Sequence, residues 1–132
     1  MSMAKEKKQL KPKVLIVEDE PALLRAIEFV FDREGFEVIK AEDGGEAIDK
    51  ALKDRPDAVV LDLVLPHIDG VTFLRKLRED RWGIDLPVLV YSNVSHGKTL
   101  EEVEALGVAD VFVKTDRRLS EVVARVKQML QK

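Results

Sequence analysis

The 132-residue sequence contains no cysteine, which excludes disulfide frameworks, thiolate zinc sites and thiol nucleophiles. Long apolar runs are missing as well. No stretch approaches the roughly 18–20 apolar residues that a membrane helix requires. The N-terminus, MSMAKEKKQLKPK, carries lysines with no apolar segment after them, so it does not read as a signal peptide. No G-x-G-x-x-G or phosphate-loop pattern is present to hold a nucleotide. The two histidines, His67 and His96, are isolated and lack ligand spacing, and read as surface residues. These absences fit a cytoplasmic protein without a membrane partner.

What is present is a balance of 45% hydrophobic and 36% charged residues, enough chain for one domain with a real core. Charge is uneven. Residues 1–13 hold five lysines and one glutamate, so the remainder must supply more than the whole formal charge of −3. An acidic body argues against nucleic-acid binding by the domain. Residues 1–12 read as a flexible basic tail, and residues 13–132 as one domain.

Five apolar runs, Val14–Val17, Phe36–Ile39, Ala58–Leu61, Pro87–Tyr91 and Val111–Val113, read as strands. Helical spacing separates them. Leu24, Ile27 and Phe31 share one face after Pro21, and Ala47, Ile48, Ala51 and Leu52 share another behind a cap at Asp43. Val71, Leu74 and Leu77 follow a cap at Asp69. Leu100, Val103 and Leu106 form a fourth stripe, and Leu119, Val122, Val123, Val126 and Leu130 a fifth, with Ser120 or Asp116 near its start. Trp82, after the third stripe, reads as a packing residue, and Asp43-Gly44-Gly45 as a turn. Continuous rather than alternating apolar strands mark a parallel sheet covered on both faces. The expected architecture is a three-layer α/β/α sandwich, a flavodoxin-like (βα)5 fold with strand order 2-1-3-4-5.

Ligands of such sheets bind beyond the carboxyl ends of the strands. Strand 1 ends in Glu18-Asp19-Glu20, strand 3 in Asp62, strand 4 in Ser92-Asn93 and strand 5 in Lys114-Thr115. A carboxylate such as Asp62 at the end of a buried strand needs a partner, because an unpaired buried charge costs several kcal/mol, roughly. Clustered carboxylates raise one another's pKa unless a cation sits among them. Mg²⁺ suits an oxygen-rich site of this kind and recruits a phosphate oxygen. A carboxylate beside a metal, a lysine and a hydroxyl can attack phosphorus and form an acyl phosphate.

The motifs VLIVEDE, LDLVLPHIDG, the serine closing PVLVYS, and VFVK together resemble the receiver domain of two-component response regulators, the CheY-like superfamily. The resemblance covers residues 13–131. It implies that Asp62 is the phosphoacceptor, taking its phosphoryl group from a sensor histidine kinase or a histidine phosphotransfer protein. It further implies that Mg²⁺ is held by Asp19, Glu18, Asp62 and the main-chain carbonyl of Val64. Ser92 would hydrogen-bond the phosphoryl group, Lys114 would pair with it, and Gly70 fits the family's turn into the third helix. Such a domain accepts a group rather than turning over substrate. Its output would pass to a downstream protein through helix 4, strand 5 and helix 5, with a phosphorylation-linked homodimer as one form. No output domain follows within the sequence, which fits a stand-alone regulator and equally a fragment of a longer one.

Three positions depart from the family pattern. Asn93 stands where a small residue is usual, Thr115 where proline is usual, and Val111 where an aromatic switch residue is often found. A cis bond before a non-proline costs about 2.5–4 kcal/mol, so Lys114–Thr115 is expected to be trans. Phe112 falls on the opposite strand face from Val111, and Tyr91 is a candidate substitute for the aromatic. Val64 and Val94 cannot orient a hydrolytic water, which predicts a long-lived phosphorylated state. The departures keep open a phosphorylation-independent interaction module of the same fold. An aspartyl-nucleophile phosphatase of the haloacid-dehalogenase type would need an acid at Val64.

Overall fold

A computed structural model describes residues 11–131; residues 1–10, the greater part of the expected basic tail, lie outside the described residues. Five strands, β1 (Lys13–Val17), β2 (Glu37–Ala41), β3 (Ala58–Leu61), β4 (Val88–Ser92) and β5 (Asp110–Val113), alternate with five helices. The helices are α1 (Pro21–Arg33), α2 (Gly44–Asp54), α3 (Gly70–Glu79), α4 (Lys98–Leu106) and α5 (Leu119–Leu130). All strand pairings are parallel, in the order β2-β1-β3-β4-β5. This is the flavodoxin-like α/β/α fold expected from the continuous apolar strands.

Strand alternation sorts the core into two layers. Leu15, Val17, Val59, Leu61, Val88 and Val90 face the side covered by α2, α3 and α4. Val14, Ile16, Val60, Leu89, Tyr91 and Phe112 face α1 and α5. Trp82 is half-buried against the first layer, with the Arg55 guanidinium over its ring.

Local chemistry sets the helix starts. Pro21 opens α1 at a position whose N–H would have no helical partner. Asp43 and Asp69 cap α2 and α3, accepting from the N–H groups of Glu46 (2.8 Å) and Thr72 (2.9 Å). Neither Ser120 nor Asp116 caps α5. Ser120 lies inside that helix, and the N–H of Arg118 donates instead to the Glu121 carboxylate at 2.8 Å. The second strand begins at Glu37, not Phe36. Phe36 serves the turn after α1, where its ring packs edge-on against Phe31, 5.0 Å between centroids, and its N–H donates to the Phe31 carbonyl. Apolarity there reflects ring packing rather than sheet pairing. The described residues contain no cis peptide bond, so Lys114–Thr115 is trans.

Candidate functional site

The sheet's own hydrogen bonding carries the acidic residues to one rim. One step beyond the paired strands, the Asp62 N–H donates to the Val17 carbonyl and the Glu18 N–H to the Ala41 carbonyl, each at 3.0 Å. Asp62 and Glu18 therefore leave neighbouring strands at the same height. Asp19 follows at the exposed edge. Carboxylate oxygens of Glu18, Asp19 and Asp62 all lie within 4.8 Å of one another.

Asp62 is 6% exposed, and both of its oxygens are engaged. Ser92, fully buried at the end of β4, donates its hydroxyl to Asp62 Oδ1 at 2.6 Å, and Lys114 Nζ donates to Asp62 Oδ2 at 2.9 Å. The Val64 N–H reaches Asp62 Oδ1 at 3.3 Å, and the Leu63 N–H donates to Ser92 Oγ at 3.4 Å. Lys114 Nζ also pairs with Glu18 Oε1 at 2.7 Å, so one ammonium bridges two buried carboxylates. That is the compensation the opening of β3 onto a carboxylate demanded.

Electrostatics follow from this crowding. Burial pushes the Glu18 carboxyl above its ordinary range, and hydrogen bonds from Lys114 and the Glu20 N–H offset this only in part. Burial works against the Lys114 ammonium, yet its bonds to Glu18 and Asp62 prevail and its pKa is raised. Three carboxylates against one ammonium leave two negative charges uncompensated. An oxygen donor set with that charge deficit fits a hard divalent cation such as Mg²⁺.

Two glycines shape the loop that carries Asp62. A Cβ at Gly70 would collide with the Asp62 carbonyl oxygen and stand 2.7 Å from Leu63 Cα, while the Gly70 N–H donates to the Leu63 carbonyl at 3.1 Å. Gly44, read from sequence as part of a turn, is instead the first residue of α2, and its N–H donates to the Ile68 carbonyl at 2.7 Å. The only sequence signal for that contact is the Gly44-Gly45 pair directly after a capping aspartate, and its loop partner is distant in sequence.

Glu18, Asp19, Asp62, Ser92 and Lys114 thus meet at one rim. Val64 and Asn93 flank them in exposed positions, and Val94 is half-buried. Val111 lies on the α2–α4 side and Phe112 on the α1–α5 side. Tyr91 does not stand beside Val111. Buried in the α1–α5 layer, it points its hydroxyl to the Arg117 carbonyl at 3.5 Å, with burial raising its pKa. His67 and His96 are exposed at the same end of the molecule, and His67 takes a left-handed backbone (φ 63°).

Comparison with known proteins places this geometry. The family model described as the response regulator receiver domain matches residues 14–127. The alkaline phosphatase synthesis transcriptional regulatory protein PhoP of Bacillus subtilis is 34% identical over 123 residues, covering 91% of this chain and 49% of that protein. The chain thus spans about half the length of the curated relatives it matches. Among solved structures, the chemotaxis protein CheY4 of Vibrio cholerae superposes with a TM-score of 0.82 at 25% identity, over 90% of this chain and 98% of that one. The CheX–CheY–BeF3–Mg²⁺ complex from Borrelia burgdorferi gives 0.84 at 27% identity, over 96% and 95%. From its matched residues and its fold, the chain belongs to the response regulator receiver domain family of two-component signalling.

Proposed function

We propose that Asp62 accepts a phosphoryl group from a phosphohistidine of a sensor kinase or of a histidine phosphotransfer protein, with Mg²⁺ bound. The observation that carries this reading is the pairing on Asp62 itself. A hydroxyl and an ammonium hold its two oxygens, while two further carboxylates lie within 4.8 Å.

In the transfer, one Asp62 oxygen bonds to phosphorus as the phosphorus–nitrogen bond breaks. The electron pair of that bond returns to the imidazole, which then takes a proton from its surroundings. Lys114 is placed to shift from carboxylate pairing to an equatorial phosphoryl oxygen, and Ser92 to donate its hydroxyl to another. Glu18, Asp19, Asp62 and the Val64 carbonyl would hold the cation. Bound Mg²⁺ supplies charge neutralisation and a template for the transferring oxygens. The residues accept one group and hold it, returning it to water only slowly, so the reading is of a signalling domain rather than a turnover enzyme.

The phosphorylated state biases the face formed by α4, β5 and α5 towards a downstream protein or a second copy of the chain. Val64 and Val94 offer no group to orient water, so the acyl phosphate is long-lived, and polar replacements at both positions shorten its lifetime. Unchanged decay in such a variant overturns that point. The cytoplasm, where kinase and phosphate donors are found, is the proposed location.

The test is treatment with a small phosphodonor and Mg²⁺, read by intact mass, with Asp62→Asn as control. A Mg²⁺-dependent gain of one phosphoryl group, lost in the variant, is expected. No gain, or one that survives the substitution, points to a phosphorylation-independent interaction module. One observation favours that second reading: the β5 position three residues before Lys114 is Val111, which lies beside Val90 on the α2–α4 side and offers no aromatic ring to follow Ser92.

A further inference from the structure

We propose that Gly44, on a helix that supplies no group to the acidic rim, is a positioning residue for the phosphoacceptor loop. Its N–H and its missing side chain together fasten residues 62–69 to the start of α2. The first N–H groups of a helix have no partner within the helix. In α2 the Glu46 N–H goes to the capping Asp43 side chain, whereas the Gly44 N–H leaves the helix for the Ile68 carbonyl at 2.7 Å. So close an approach requires glycine. A Cβ at Gly44 would overlap the Ile68 carbonyl oxygen and stand 2.7 Å from Ile68 Cγ2. The neighbouring Gly45 makes no such demand, since a Cβ there would meet only Asp43 Oδ1 at 3.4 Å and Ile68 Cδ1 at 3.5 Å, ordinary contacts.

Ile68 directly follows His67, whose left-handed backbone turns the loop, and lies two residues before Gly70, where the loop closes onto Leu63. The loop is therefore tied at its inner end by Gly70 and at its outer end by Gly44. Val64 lies between the tied residues Leu63 and Ile68, and Asp62 directly precedes the first of them. A Cβ at Gly44 cannot be accommodated unless the Ile68 main chain moves aside, and that movement is passed to the stretch that offers the Val64 carbonyl. This inference rests on the reading of Asp62 and Val64 as acceptor and metal-shell residues.

The adjacent glycines supply the experiment. Gly44→Ala and Gly45→Ala are compared with the parent chain by calorimetric Mg²⁺ titration and by hydrogen exchange over residues 62–70. Gly44→Ala is expected to weaken Mg²⁺ binding about tenfold, the low end for losing an outer-shell support, and to speed exchange in the loop. Gly45→Ala is expected to change neither. Parent-like affinity and exchange in Gly44→Ala, or equal effects of both substitutions, overturn the proposal. Should Gly44→Ala fail to fold, Ile68→Ala takes its place, because it removes the Cγ2 and Cδ1 atoms seated on the glycines. Weaker Mg²⁺ binding with faster loop exchange supports the fastening, and unchanged values defeat it. A parent chain that binds no Mg²⁺ defeats the phosphoacceptor reading instead, and the exchange comparison alone then decides whether Gly44 holds the loop.

Discussion

The segments that follow β3 and β4 leave the sheet side by side, yet they are held very differently. After β3, residues 62–69 are tied at Asp62 to Val17, at Leu63 to Gly70 and to Ser92, and at Ile68 to Gly44, with Leu63 and Leu65 buried beneath. After β4, residues 93–97 are exposed apart from half-buried Val94, and α4 buries a single side chain, Val103. The attachments of α4 gather at its far end. There Arg78 of α3 donates to the carbonyls of Leu106 (3.1 Å) and Gly107 (2.6 Å). Nearer the middle, Arg75 of α3 pairs with Glu102. One side is built to hold the Asp62 carboxylate still, with both of its oxygens engaged. The other has the sparse burial of elements that move in response to ligands.

The largest break in this contrast comes from Lys114→Met, which strips the fixed side of the cation shared by Glu18 and Asp62. Unpairing buried carboxylates costs about 3 kcal/mol, the low end for a broken buried pair because the lysine sits at a rim. The urea midpoint should fall accordingly in chelator, and Mg²⁺ should restore part of the loss. A midpoint equal to the parent's in chelator contradicts the bridging geometry.

Arg78→Met acts on the other side. Its guanidinium, with a pKa lowered by burial, also donates to the Gly83 carbonyl at 2.7 Å, so three carbonyls lose a donor. Losing charged donors to partly buried acceptors costs about 2 kcal/mol. Hydrogen exchange should quicken across residues 98–107 while residues 62–69 stay as protected as before. Equal loosening of both segments would mean that they form one cooperative unit.

How much of this was legible beforehand divides along the same line. The fold and the acidic rim were, because a parallel sheet brings strand ends together and each strand's last residues are adjacent in sequence. VEDE, LD, YS and VFVK each name their chemistry locally. The ties between segments were not. Arg78 meets α4 and Gly44 meets Ile68 through loops whose paths no periodicity encodes. The α4 stripe of Leu100, Val103 and Leu106 promised a buried face, but α4 is covered on one side only, and just Val103 is fully enclosed. Phe36 read as strand because an apolar residue beside a strand and one within it look alike in sequence.

A smaller effect sharpens the electrostatics of the fixed side. Burial raises the Glu18 carboxyl, so the folded chain binds that proton more tightly than the unfolded chain does. The stabilisation tied to that proton is full below the unfolded value and is lost as pH rises through the folded one. Glu18→Gln, measured in chelator, should therefore raise the melting temperature at pH 7 relative to the parent, and the gain should shrink as the medium is acidified through the carboxylate range. A variant less stable than the parent at neutral pH would show that the Lys114 pairing outweighs the burial.

The smallest expected effect is at the Arg75–Glu102 pair, where both side chains are more than two-fifths exposed. Solvent screening limits such a pair to about 0.5 kcal/mol, so a double-mutant cycle with Arg75→Ala and Glu102→Ala should return a coupling of that size at low salt. Its location matters more than its strength. The pair spans the groove between α3 and α4 that Leu63, Val64 and Val94 also line, residues that follow Asp62 and Ser92 in the chain. If α4 swings about the anchored Arg78 end, this pair must stretch first. Its coupling should then fall when Asp62 carries beryllium fluoride, whereas the Arg78 anchor keeps its protection. A coupling that is the same in both states would place the movement elsewhere, in β5 or α5, and would leave α4 as fixed as the loop beside it.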